Sequence, residues 1–315
     1  MKKFIINFIV LVAFASQSIA AEIIDVKGLK FWTDTFGDRA NPAILLIMGG
    51  GGQGIMWNER FCNGLAEKGY FVIRFDNRDT GESSAIDYAK NPYSLRELAE
   101  DCVGILAHYN KYDGHIVGVS MGGAIAQIMA HQFPQHIKTL TLISTSYDFR
   151  TFDDALAGRD IPTEGRLSPP TQDYVKAVTS VIDRSNEDVD HLVDAWQLVN
   201  GSKVAFDREE TRQLVILSES RKGNPEATMN QMKAIAASNE AGHLDQPEDI
   251  SVPTLVIHGT EDPIFPLDHG KALAQKIQGS KLHVMNLMGH TFGRSFEPRI
   301  VAAITDFIDR VAAEG

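Results

Sequence analysis

Gly118-Val119-Ser120-Met121-Gly122 fits the pattern G-x-S-x-G, a serine held between two glycines. The match lies between an apolar run, Ile116-Val117-Gly118-Val119, and a helical pattern over residues 121–133. A tight strand-to-helix turn there strains the serine backbone and leaves its hydroxyl standing clear, with the glycines allowing close chain approach. A serine hydroxyl is a poor nucleophile without a base. Among ten histidines, His290 is the best placed, in Met288-Gly289-His290 directly after the last apolar run. His243 and His269 are loop alternatives, His258 and His283 read as packed or hydrogen-bonded strand residues, and His108, His131, His136 and His191 read as surface. An acid must then fix the histidine tautomer. Asp262, in His258-Gly259-Thr260-Glu261-Asp262-Pro263, follows the penultimate run, with Glu261, Asp268 and Asp148 as competitors. The order serine, aspartate, histidine along the chain is one of the known orders of a nucleophile triad.

An acyl-transfer site also needs two donors for an oxyanion. The backbone N–H of Met121 is one, and Gly50 in the run Gly49-Gly50-Gly51-Gly52 is the expected second. The same run could cradle a phosphate, but neither G-K-[ST] nor the acidic partner of G-x-G-x-x-G accompanies it.

The elements that must position these residues alternate. Apolar runs at residues 43–48, 71–76, 116–119, 140–143, 254–258 and 281–285 read as strands. Helical patterns at 57–68, closed by Gly69, at 94–109 with Ser94 as N-cap, at 121–133 and at 298–312 lie between or after them. This predicts an α/β fold, a mostly parallel sheet flanked by helices. Residues 22–33 read as an antiparallel edge hairpin turning near Gly28. Residues 147–247 carry helical patterns at 174–183, 189–198, 208–220 and 227–237 and no convincing strand, too long for a simple connection. They are expected to form a helical lid inserted into a core of 21–146 and 248–315, with an irregular segment near 162–170.

Residues 1–20 stand apart. Lys2 and Lys3 precede an apolar run broken only by Asn7, and Ser18-Ile19-Ala20 supplies small residues at positions −3 and −1. This is the layout of a secretory signal peptide, predicting an exported, periplasmic or secreted protein with no stable membrane anchor after cleavage. Its apolar run is shorter than the roughly 20 residues of a spanning helix. The 315-residue chain has a net charge of −11, which becomes −13 when Lys2 and Lys3 leave with the leader, arguing against a nucleic-acid partner. With 43% hydrophobic residues it can bury one large core. Two cysteines, Cys62 and Cys102, make no disulfide framework and lack metal-site spacing.

Along essentially its whole mature length the chain resembles the α/β-hydrolase superfamily, and within it the serine esterases related to aclacinomycin methylesterase. The similar segments are Phe31-Trp32-Thr33-Asp34-Thr35-Phe36-Gly37-Asp38, Ile47-Met48-Gly49-Gly50, Phe75 to Ser83, Val117 to Gly123, and Pro253 to Pro263. The resemblance implies nucleophile Ser120, acid Asp262, base His290, oxyanion donors Gly50 and Met121, no metal or organic cofactor, and a small-molecule ester substrate. It implies that residues 76–83 form a structural loop near the site. It also places Cys62 and Cys102 on opposite faces of the sheet as free thiols. The leading expectation is ester hydrolysis through an acyl-enzyme on a small or medium organic substrate. The same triad could act on lactones, thioesters or C–C bonds, or in perhydrolysis, and a hydrolase-like ligand binder with little turnover is a further alternative. Ser120 stands where a dehalogenase would carry an aspartate.

Overall fold

In the computed structural model the described residues are 19–162, 164–182, 188–221, 223–244 and 246–314. The expected leader lies outside them save for Ile19 and Ala20, which open the first strand. The strands are β1 (Ile19–Val26), β2 (Leu29–Phe36), β3 (Ala43–Ile47), β4 (Phe71–Phe75), β5 (Gly114–Val119), β6 (Ile137–Ile143), β7 (Thr254–Gly259) and β8 (Lys281–Met285). They form one sheet in the order β1-β2-β4-β3-β5-β6-β7-β8. β1 and β2 are the antiparallel hairpin, turning through Lys27 and Gly28 at positive φ, and β2 pairs antiparallel with β4. Every pairing from β4 onward is parallel. β3, β4, β5 and β7 are buried at every position, as strands covered on both faces must be.

Helices α1 (Glu59–Ala66) and α10 (Glu297–Glu314) cover one face, where Cys62 and Leu65 pack with Ile300 and Ile304. Helices α2 (Leu95–His108) and α3 (Met121–Gln132) cover the other, where Cys102 packs with Ile125 and Ile128. The two thiols are free, buried and separated by the sheet. α1 begins two residues later than the sequence pattern because the Asn58 side chain caps it, accepting from Phe61 N. α2 opens on the full reciprocal cap of Ser94 and Glu97.

Between β6 and β7 the described residues hold five α-helices and no strand: α4 (Arg150–Leu156), α5 (Gln172–Ile182), α6 (Val189–Val199), α7 (Arg208–Ser220) and α8 (Ala227–Glu240). α4 was not expected, and neither was α9 (Leu267–Lys276), which follows β7. His269 and Asp268 therefore sit on a helix rather than a loop. β8 is one edge of the sheet, and His283 on it is exposed, not packed as its mid-strand position suggested.

Candidate active site

Ser120 ends the central strand β5 and precedes α3 with φ 56 and ψ −125, a backbone conformation costing about 1–3 kcal/mol. The surroundings hold it there. Its N–H donates to Ile143 O at 3.0 Å, and the Thr145 hydroxyl donates to its carbonyl at 2.7 Å. A Cβ at position 118 would meet Gly122 O at 2.2 Å, and one at position 122 would meet Ile47 O at 2.2 Å. Both glycines of the motif are thus required by backbone contact. The Ser120 hydroxyl caps no helix N–H and is left for the cavity it lines.

The glycine run after β3 wraps over this turn. Gly49 abuts Ser120, and a Cβ there would stand 3.0 Å from the Ser120 Cβ. Gly52 N–H closes back onto Gly49 O, and Gly51 N–H donates to Gln231 Oε1 at 2.6 Å. Gly50 lies against Met121. Among the described residues neither Gly50 N–H nor Met121 N–H donates to a protein acceptor, so both remain available as donors; Met121 is the first residue of α3, where such orphan amides are expected. The run leads into a single 3-10 turn at Gly54–Met56 instead of a helix, so no phosphate-cradling N-terminus follows it.

Asp262 and His290 come from the loops after β7 and β8. The His290 Nδ1 lies 3.0 Å from both carboxylate oxygens of Asp262. Asp262 Oδ1 also accepts from the amides of Ile264 and Phe265, each at 2.9 Å. Burial alone would push this carboxyl up; the neighbouring His290 ring, the His258 ring and the Phe265 amide outweigh it and hold Asp262 below the usual carboxylate range. An ionised Asp262 favours the His290 tautomer that carries its proton on Nδ1, and the ring lines the same cavity as Ser120. Among the described residues the His290 ring bonds only to Asp262, and no direct hydrogen bond joins it to the Ser120 hydroxyl. In unliganded enzymes such contacts are often long and tighten on substrate.

The competing acids are engaged elsewhere. Glu261 accepts from Ser202, Asp268 accepts from Ser168 N, and Asp148 pairs with Arg150 at 2.7 Å. Of the competing bases, His269 is buried against Ser146 and Ser168, and His243 follows α8; neither lines the cavity. His258 lies under Asp262, its Nε2 donating to Phe265 O at 2.7 Å.

The cavity measures about 1520 Å³, above the roughly 300–1,000 Å³ of ordinary ligand pockets. Core loops supply its floor with Gly50, Ser120, Met121 and His290, while Tyr174, Trp196, Met232 and Ile235 of α5, α6 and α8 supply apolar walls. Residues 76–84 prove to be the seat of the insertion. The Asp76 carboxylate accepts from Gly54 N, Glu82 N and the Arg221 guanidinium, and Asp79 accepts from Asn224, Asn230 and Tyr93. Arg221, Asn224, Asn230 and Gln231 escaped the sequence reading, since nothing in their spacing announces partners about 150 residues away. Among the described residues no group of three or more His, Cys, Asp or Glu is arranged to hold a metal ion. No helix of the described residues is long and apolar enough to cross a membrane.

The sequence profile of the alpha/beta hydrolase fold family matches residues 42–170, and that of TAP-like protein matches residues 226–312. The chain is 32% identical over 284 residues to rhodomycin D methylesterase DnrP of Streptomyces peucetius, covering 88% of this chain and 94% of that one. It is 26% identical over 251 residues to 3-oxoadipate enol-lactonase 2 of Acinetobacter baylyi, covering 80% and 83%. Among solved structures, an esterase from Exiguobacterium antarcticum superposes with a TM-score of 0.72 at 18% identity, covering 92% of this chain and all of that one. The enol-lactonase from Burkholderia xenovorans superposes with a TM-score of 0.69 at 22% identity, covering 91% and 100%. These two likenesses speak to the fold.

Proposed function

Because the chain belongs to the α/β-hydrolase fold family, we propose that it is a carboxylic ester hydrolase that works through an acyl-enzyme on Ser120. The observation that carries this reading is the strained serine sharing one cavity with a histidine that an ionised, buried aspartate orients. In the first half-reaction the Ser120 oxygen attacks the ester carbonyl while His290 Nε2 takes its proton. The negative charge on the former carbonyl oxygen is received by the N–H groups of Gly50 and Met121. The intermediate collapses as His290 protonates the departing alcohol. Water then attacks the acyl carbonyl as His290 Nε2 takes its proton, and the second intermediate collapses as His290 returns that proton to the Ser120 oxygen, releasing the carboxylic acid. Asp262 stays ionised throughout and stabilises the imidazolium.

The identity to rhodomycin D methylesterase supports an ester as substrate, and the cavity volume and apolar walls support an organic acid of medium size. Residues 147–247 act as a lid in this reading, since their helices wall the cavity over Ser120. A lactone is the second reading, favoured by the similarity to 3-oxoadipate enol-lactonase 2. A panel of esters and lactones, run beside a fluorophosphonate label, tests both. Ester turnover and labelling that vanish together in Ser120→Ala are expected. A wild-type protein that takes no label refutes the acyl-enzyme and leaves a ligand-binding role. The order of basic, apolar and small residues in 1–20 supports export. N-terminal sequencing of the exported protein is expected to begin at Ala21, and an intact Met1 would refute cleavage.

A further inference from the structure

We propose that the segment 199–203 of the helical insertion is a positioning strap that aligns His290 and Asp262, so that the insertion helps to build the reacting geometry as well as the cavity wall. The inference rests on the triad reading above.

The last carbonyls of a helix have no partner within it. At the end of α6 those carbonyls are taken up by the loop that carries His290. Val199 O accepts from His290 N at 2.8 Å and Thr291 N at 3.2 Å, and Asn200 O accepts from Gly289 N at 3.2 Å. Three consecutive amides of the base loop therefore dock on one helix terminus. The contact is backbone against backbone. Gly201 has φ +101, and a Cβ there would stand 2.6 Å from Leu287 O and 3.1 Å from Gly289 N. A Cβ at position 289 would stand 2.3 Å from Val199 O. Only glycine fits on either side.

The acid loop is held by the next residue of the same segment. Ser202 N–H and the Ser202 hydroxyl both donate to Glu261 Oε2, at 2.7 and 2.9 Å, and Glu261 immediately precedes Asp262. The two loops are also tied to each other, since Glu261 N–H donates to Met288 O at 3.0 Å and a Cβ at position 259 would stand 2.1 Å from that oxygen. Base loop, acid loop and strap thus form one hydrogen-bonded unit. Glu261, a competitor for the acid by sequence, serves instead as the clamp for the strap.

The test uses the full chain and the variants Glu261→Ala, Glu261→Gln and Gly201→Ala, with kcat, KM, fluorophosphonate labelling rate and Tm as readouts. Losing charged-acceptor hydrogen bonds predicts that Glu261→Ala lowers kcat and labelling about tenfold, with KM within about twofold and little change in Tm. Glu261→Gln keeps an acceptor oxygen for Ser202 and recovers most of that loss. Gly201→Ala pushes the strap off the base loop, and a misplacement of about 1 Å predicts about a 100-fold loss in kcat. Should Gly201→Ala fail to fold, the two Glu261 variants decide. Wild-type kcat in Glu261→Ala, an effect confined to KM, or a Glu261→Gln as impaired as the alanine variant each overturns the strap while wild-type labelling leaves the triad standing. A wild-type protein without label overturns the triad reading, and the strap falls with it.

Discussion

Asp262 is a carboxylate kept ionised inside a protein by neighbours that all donate to it. Its side chain is fully shielded from solvent, yet two amides and the His290 Nδ1 face it. Replacing it with asparagine separates geometry from charge. The oxygen of the substituted amide can still accept from Ile264 and Phe265, but its NH₂ would confront the Nδ1–H of His290 and favour the wrong tautomer. Asp262→Asn is expected to lower kcat by about 10³–10⁴ with Tm within a few degrees of wild type. A loss under tenfold, measured on any ester the wild-type protein cleaves, would remove Asp262 from the mechanism. At this scale the sequence was readable for Ser120, because strand, glycine and serine are chain neighbours whose sterics are local. It named Asp262 and His290 with competitors, and these two, 28 positions apart, pair only through the fold.

The elements show where local pattern was overruled. The stretch that became α9 contains Gly270, a poor helix residue, and begins at Pro266 without a side-chain cap. The glycine is there because the His258 ring fills its place: a Cβ would stand 2.6 Å from the ring. Packing against β7 thus outweighs propensity. Among the contacts that seat the insertion is one buried ion pair. Arg221 donates to Asp76 at 2.5 Å with its guanidinium 4.0 Å from the Trp32 ring, and both side chains are almost wholly buried. Such a pair need not add net stability, but removing one partner strands the other. Arg221→Ala is expected to cost about 3–5 kcal/mol in urea unfolding, and Asp76→Asn combined with Arg221→Met to recover part of it. If Arg221→Ala unfolds within 1 kcal/mol of wild type, the pair is not what seats the insertion.

For the whole molecule, acid is a sharper stress than the net charge of −11 suggests. Burial pushes His115 down to about 4, and pushes His258 and His269 down as well. The unfolded chain protonates a histidine near pH 6.5, so between about pH 6.5 and 4 it binds a proton that folded His115 refuses. The stability His115 lends is complete above pH 6.5 and is lost as pH falls through that window, by about 3 kcal/mol at its acid end. His115→Gln is therefore expected to flatten the fall in unfolding free energy between pH 7 and 4.5 relative to wild type. An unchanged slope would show that the ring is not held neutral. Burial on this scale also explains the cysteines, since the sheet that carries His115 keeps Cys62 and Cys102 on opposite faces.

The chain order of strands, the glycines flanking Ser120 and the glycine run are set by residues within a few positions of one another, and sequence alone determined them. Short-range sterics and periodic burial act before the chain knows its partners. Which carboxylate meets His290, which polar residues seat the insertion, which strand lies at the edge and which glycines face another backbone were decided by tertiary structure. Those outcomes depend on how the sheet twists and stacks its helices over the whole chain, and they bring together groups, such as Arg221 and Asp76, that are 145 residues apart.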